Sequence, residues 1–207
     1  MPRFDAHTAL VVVDIQNDFA DPAGGLSVSG GAEVVSVANR LIAAAIAGGA
    51  LVVYSQDWHP AHTPHFQTGG GPWPVHCVAG TWGAEFAPGL DVRGEVIRKG
   101  VAGEDGYSAF SVRDSASGET RLTSLHGLLS ARGIRHVVVV GLATDYCVKA
   151  TALDAVRLGY HTTVLQDAVR AVDLQPGDGE AAFDAIRAAG GRVARSDEGD
   201  EPVELGN

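Results

Sequence analysis

Runs of β-branched residues alternate with longer, alanine-rich stretches whose apolar positions recur at helical spacing. The stretch 8–15, "TALVVVDI", is apolar almost without interruption, as a strand covered on both faces requires. The stretch 32–47, "AEVVSVANRLIAAAIA", has the spacing of an amphipathic helix and stops at Gly48 and Gly49. Further strands are predicted over 50–56, 95–99, 135–142, 161–166 and 192–195, and helices over 123–133, 145–159 and 178–190. The order β-α-β-β-α-β-α-β-α-β predicts an α/β protein of three layers, a central mostly parallel sheet flanked by helices. Neither a repeat nor a linker divides it, so 1–207 is expected to form one domain ending in an acidic tail over 196–207.

Two stretches have no sustained period. Residues 57–94 and 100–120 are rich in Gly, Pro and aromatic residues, and irregular segments this long inside a compact domain are usually functional. Within the second, 111–120 reads as a polar, insertion-like loop. The triple glycine at 69–71 does not match a phosphate loop, because no Lys-Ser or Lys-Thr follows and no helix opens there.

Composition narrows the function classes. With 45% hydrophobic and 19% charged residues the chain suits a globular fold that needs neither a disulfide framework nor a structural metal. A net charge of −10 without clustered Lys and Arg argues against nucleic acid and leaves a small neutral or cationic ligand as the expected partner. The longest apolar stretch, "LIAAAIAGGALVVY", falls short of the ~20 residues that span a bilayer, so no membrane partner is expected. The first residues are too acidic, and their apolar run too short, for a signal peptide. A cytoplasmic location follows as the expectation, with Cys77 and Cys147 as free thiols. A monomer or small homo-oligomer is compatible with all of this.

Ligands of open parallel sheets bind beyond the carboxyl ends of the strands. Asp14 ends the first predicted strand, Asp57 follows the second, Lys99 ends the third and Cys147 lies just beyond the central one. All four are therefore expected at one edge. Thr144 or Asp145 could cap the helix that follows, leaving Cys147 in its first turn, where free N–H groups, the helix dipole and a nearby lysine would favour a thiolate and could hold an oxyanion. A lone cysteine is more often a core residue. Convergence with Asp14 and Lys99 is what points to a nucleophile.

The stretch "DWHPAHTPHF" supplies Asp57, His59 and His65 as candidate metal ligands, with His76 further on and His62 as the spare member. One carboxylate with two or three imidazoles suits a single divalent ion, zinc, iron or manganese, with positions left open. Metal-activated water would make the cysteine redundant, and the "PCxxC" pattern of zinc deaminases is missing. The pattern favours a metal that orients a substrate lone pair while the cysteine does the covalent chemistry. His7, His126, His136 and His161 flank strands or lie on helices and are expected at the surface.

Taken together, "VVVDIQNDF", "DWHPAHTPHF", "WPVHCVAGTWGAEF", "RKG", "YSAF" and "VVVVGLATDYCVKATALDA" resemble the nicotinamidase/pyrazinamidase branch of the isochorismatase-like cysteine hydrolases, over about residues 8–190. The resemblance implies a triad of Asp14, Lys99 and Cys147, and hydrolysis of nicotinamide to nicotinate and ammonia through a thioester. It implies an oxyanion hole at the backbone N–H groups of Ala143 and Cys147, beside a cis peptide between Leu142 and Ala143. Metal ligands would be Asp57, His59 and His65, with His76 a fourth in some members. Phe19, Trp73, Leu142 and Tyr146 would contact the substrate. The chain departs from the pattern at Ala109, where many relatives have glycine, and at 111–120. A related amidase acting on another small amide or carbamoyl compound is the alternative; such relatives usually lack the histidine set.

Overall fold

The computed structural model describes residues 2–198. Strand β1 (Thr8–Val13), the short helix α1 (Asn17–Ala20), α2 (Glu33–Ala47), β2 (Leu51–Asp57) and β3 (Glu95–Lys99) make the first half. Then come β4 (Ser111–Arg113), β5 (Thr120–Leu122), α3 (Leu125–Ala131), β6 (His136–Leu142), α4 (Lys149–Arg157), β7 (His161–Arg170), α5 (Asp178–Ala188) and β8 (Arg192–Ala194). The central sheet has the order β3-β2-β1-β6-β7-β8 and every pairing in it is parallel. Its centre, between β1 and β6, is where the chain order reverses, the place at which an open sheet leaves a crevice at its carboxyl edge.

Strand period and helix period close the core on both faces. Leu10 and Val12 of β1 pack with Val34, Ala38, Leu41, Ile42 and Ala45 of α2, while Ala9, Val11 and Val13 face Leu125 and Leu129 of α3, Ala152 and Ala155 of α4, and Phe183 and Ile186 of α5. The result is three layers. Leu41 is buried to 1% exposure in the first cluster, so Leu41→Ala should lower unfolding free energy by about 2–5 kcal/mol, read from the urea midpoint at unchanged slope. A loss under about 0.5 kcal/mol would mean that α2 does not pack as described.

Several boundaries differ from the sequence expectation. Strand β1 ends at Val13 because Asp14 takes φ 46, a left-handed conformation that no strand continues. The segment 111–120 is not a plain loop: β4 and β5 pair antiparallel around a turn in which the Asp114 carboxylate accepts N–H bonds from Ala116 and Ser117. Strands of three residues are too short to show a period. Strand β7 runs on to Arg170, past a register shift opposite Val139 and Gly141. Ser196, at the head of the expected acidic tail, is held by Asp167 through its N–H at 2.8 Å and its hydroxyl at 2.5 Å. Residues 199–207 of that tail lie outside the described residues. No helix among the described residues is long and apolar enough to cross a membrane.

Candidate active site

Four strands deliver the reactive side chains to the carboxyl edge of the sheet. Asp14 leaves β1, Asp57 and Lys99 are the last residues of β2 and β3 and stand opposite one another in register, and Cys147 follows β6. Close approach of β6 to β1 requires Gly141, at φ 118, where an added Cβ would lie 2.0 Å from the Val13 carbonyl oxygen. The peptide between Leu142 and Ala143 is cis, and the chain then enters a π-helical turn, Thr144–Val148, that carries Cys147. Single π turns of this kind recur at functional sites.

Lys99 is fully buried and joins the other three groups. Its Nζ lies 2.7 Å from Asp14 Oδ2, 2.5 Å from Asp57 Oδ1 and 3.7 Å from Cys147 Sγ, and also donates to the Gly106 carbonyl. Burial works against the ammonium charge, but the two carboxylates outweigh it and hold the group well above the ordinary lysine range. For Asp57, burial is overridden only by the Lys99 charge together with the neighbouring His59 and His76 rings, which hold the carboxyl well below its usual range. Asp14 goes the other way. Its burial, with the neighbouring Asp57 charge adding to it, exceeds the pull of Lys99 and raises it to about 6, although the Ser55 hydroxyl donates to Oδ1 at 2.7 Å.

Cys147 departs from the sequence expectation in its ionisation. Burial pushes its thiol well above the ordinary range, Lys99 opposing this only in part while Asp14 and Asp57 reinforce it. Nor does Thr144 or Asp145 cap the turn: Ala143 is the N-cap residue, with no side-chain cap. The Asp145 carboxylate instead accepts the N–H groups of Val172 and Asp173 at 3.0 and 2.9 Å, tying the end of β7 to the cysteine turn.

Next to this group sit His59, His65 and His76, all buried, with imidazole nitrogens within 4.8 Å of one another. Asp57 Oδ2 lies 3.7 Å from His59 Nε2 and 3.8 Å from His76 Nε2. Outer partners fix two of the rings: His65 Nδ1 meets Asp105 Oδ1 at 2.7 Å, and His76 Nδ1 meets the Pro74 carbonyl at 2.8 Å, which leaves Nε2 of each free. Both ring nitrogens of His59 are buried without a hydrogen-bond partner. Such orphaned nitrogens beside a carboxylate and two further imidazoles fit a divalent ion, with Asp57 shared between the ion and Lys99. Burial lowers His65 and brings His76 down to about 4, so both are neutral, as ligands must be. Gly100 makes room for the cluster, since a Cβ there would lie 2.4 Å from the His59 ring.

A narrow cavity opens over both groups. Phe19, Trp73, Tyr107 and Tyr146 form aromatic walls, Leu26 and Val172 add apolar surface, and Asp57, His65, His76, Ala143 and Cys147 form the floor. Trp73 Nε1–H donates to the Tyr107 hydroxyl at 2.8 Å, and Trp73 and Tyr146 meet edge to face at 4.8 Å. A flat, neutral ring fits such walls.

Comparison with known proteins places this geometry. The isochorismatase domain matches residues 8–198. The chain belongs to the isochorismatase family. Among its relatives, a nicotinamidase of Escherichia coli (strain K12) is 42% identical over 200 residues, covering 88% of this chain and 92% of that one. The pyrazinamidase of Pyrococcus horikoshii, solved in complex with zinc, superimposes with a TM-score of 0.81 at 37% identity, covering 91% of this chain and 99% of that one. PnC1 from L. infantum, solved in complex with nicotinate, gives 0.83 at 36% identity, covering 94% and 96%.

In this isochorismatase-family chain the expected triad, ligand and aromatic residues converge, with one exception. Leu142 is fully buried in the α2-side core and does not line the cavity; it precedes the cis peptide, and its side chain falls on the core face. His62 is exposed, as are His7, His136 and His161, while His126 is half-buried against the Tyr160 hydroxyl. Sequence reasoning assigned no role to Tyr107, Leu26, Val172, Asp105 or Gln16. The Gln16 amide clamps Asp57, donating to its carbonyl at 2.8 Å and accepting its N–H at 2.8 Å. Its place two residues after Asp14 in "VVVDIQNDF" was the available signal.

Proposed function

We propose that this chain is a nicotinamidase that also accepts pyrazinamide, a metal-assisted cysteine amidohydrolase with Asp14, Lys99 and Cys147 as its catalytic groups. The observation that carries the reading is that one aromatic cavity is lined by Cys147, Asp57, His65 and His76, with Asp14 and Lys99 buried beside the thiol and His59 beside the other two imidazoles. The names of its relatives point to the same amides.

Asp14, as carboxylate, takes the Cys147 proton while Sγ attacks the amide carbon. The developing oxyanion is met by the N–H groups of Ala143 and Cys147, whose placement at the cavity floor supports this role. Asp14 returns the proton to the departing nitrogen, the C–N bond breaks and ammonia leaves a thioester on Cys147. Water, deprotonated by Asp14, then attacks the thioester and releases nicotinate and the thiol. Lys99 keeps its charge throughout and holds Asp14 in position. Phe19, Trp73, Tyr107 and Tyr146 hold the ring and exclude water. Asp57, His59, His65 and His76 would hold a divalent ion, which when bound would supply a Lewis acid for the lone pair of the ring nitrogen; zinc, iron and manganese all suit this donor set.

Asp14 must be ionised to act as base, so kcat/KM for nicotinamide should rise with pH through an apparent pKa of about 6 and be lost below it. Ser55→Ala, which removes a hydrogen bond to the ionised form, should move that limb to higher pH. Ammonia release across the pH range reads both. A profile with no acid limb, or a limb that moves down in Ser55→Ala, would remove Asp14 from the base role.

A further inference from the structure

The β4–β5 hairpin takes no part in the chemistry above, yet its backbone holds the residue that reaches the histidine cluster. Asp105 and Arg113, the last residue of β4, exchange N–H to carbonyl bonds of 2.8 Å in both directions, an isolated antiparallel bridge outside the hairpin itself. From that bridge Asp105 Oδ1 reaches His65 Nδ1 at 2.7 Å; His65 is 4% and Asp105 28% exposed. A carboxylate only accepts, so Nδ1 carries the proton and Nε2 is the bare donor atom. The other two rings are held differently: His76 by a neutral carbonyl, and His59 by no hydrogen bond at either nitrogen.

We propose that Asp105 is a positioning residue for His65, and that the hairpin sets the affinity of the cluster for a divalent cation by holding Asp105 in place. This rests on the reading of His65 as a ligand. The carboxylate fixes the tautomer, stops the ring from turning and makes Nε2 a stronger donor. The next two residues serve other groups, the Gly106 carbonyl accepting from Lys99 and the Tyr107 hydroxyl accepting from Trp73. A charge-specific loss at Asp105 is therefore separable from a general loosening of the segment.

The test is zinc affinity of the full chain, measured by competition with a chromophoric chelator, for the parent, His65→Ala, Asp105→Ala and Asp105→Asn. Loss of an outer-sphere partner costs about 10–100-fold in metal affinity, so Asp105→Ala should weaken zinc binding by that factor and Asp105→Asn by at least about fivefold. At limiting zinc the KM for nicotinamide should rise in both variants and return to the parent value in excess zinc, with kcat unchanged. Asp105 variants within about twofold of the parent, beside a His65→Ala that has lost zinc, would overturn the role of Asp105 alone. A His65→Ala protein that binds zinc as the parent does would overturn the ligand reading itself. Should Asp105→Ala fail to fold, Asp105→Asn decides on the same criterion.

Discussion

Replacing Cys147 with alanine is expected to lower nicotinamide turnover by at least about a thousandfold while leaving fold and metal content as they are. The loss is large because the remaining groups have no substitute nucleophile. The other thiol, Cys77, is fully buried, its Sγ facing the Gly83 carbonyl at 3.8 Å. Water could in principle be activated by Asp14 alone, but without the thioester the amide C–N bond must be broken in a single addition to an unactivated carbonyl. The fold should persist because Lys99, 3.7 Å from the removed sulfur, keeps both carboxylates at 2.7 and 2.5 Å. Ammonia release, far-UV dichroism and elemental analysis on one preparation check the three statements together. Activity above about a thousandth of the parent would contradict covalent catalysis.

The second large effect is expected at His59. This ring has no other hydrogen-bond role, is stacked on His65 at 4.7 Å and faces Asp57, so His59→Ala removes a donor without breaking a described hydrogen bond. Outer-sphere partners cost about 10–100-fold in affinity, and a direct ligand should exceed that, more than about a hundredfold. The ring-nitrogen anchor of the substrate goes with the ion, so KM should rise in parallel and pyridine analogues lacking the nitrogen should lose their disadvantage. Chelation of the parent should reproduce the same KM change. If His59→Ala retains both its metal and its KM, the cluster is not the substrate-orienting site.

Residues 8–13, 51–57, 95–99 and 136–142 were legible as strands because burial on both faces leaves nearly continuous apolar runs, or, at the edge strand β3, a short β-branched one. The site was legible where it depends on strand ends: Asp14, Asp57, Lys99 and Cys147 are placed by topology, which the alternation of elements encodes. His59 and His65 were legible from local spacing. What escaped depends on non-local backbone. Gln16, Asp105 and Val172 act through hydrogen bonds or cavity walls supplied by segments 41, 40 and 27 residues away in sequence; Gln16 has only its place in "VVVDIQNDF" to mark it, and Asp105 and Val172 carry no period of their own. For Cys147 the first-turn argument counts the helix dipole and Lys99 but not burial, which pushes the thiol up. Leu142, which the resemblance puts at the substrate, turns its side chain into the α2-side core and does not line the cavity.

Crystals of the Cys147→Ala protein grown with nicotinamide and zinc, with data collected at the zinc absorption edge, test the shared cavity most directly. The account expects one anomalous peak among Asp57, His59, His65 and His76, the pyridine nitrogen turned toward it, the ring between Phe19 and Trp73, and the carboxamide carbon facing position 147. Nicotinamide bound in the cavity with its carboxamide pointing away from 147, or a zinc peak remote from the three histidines, would contradict it.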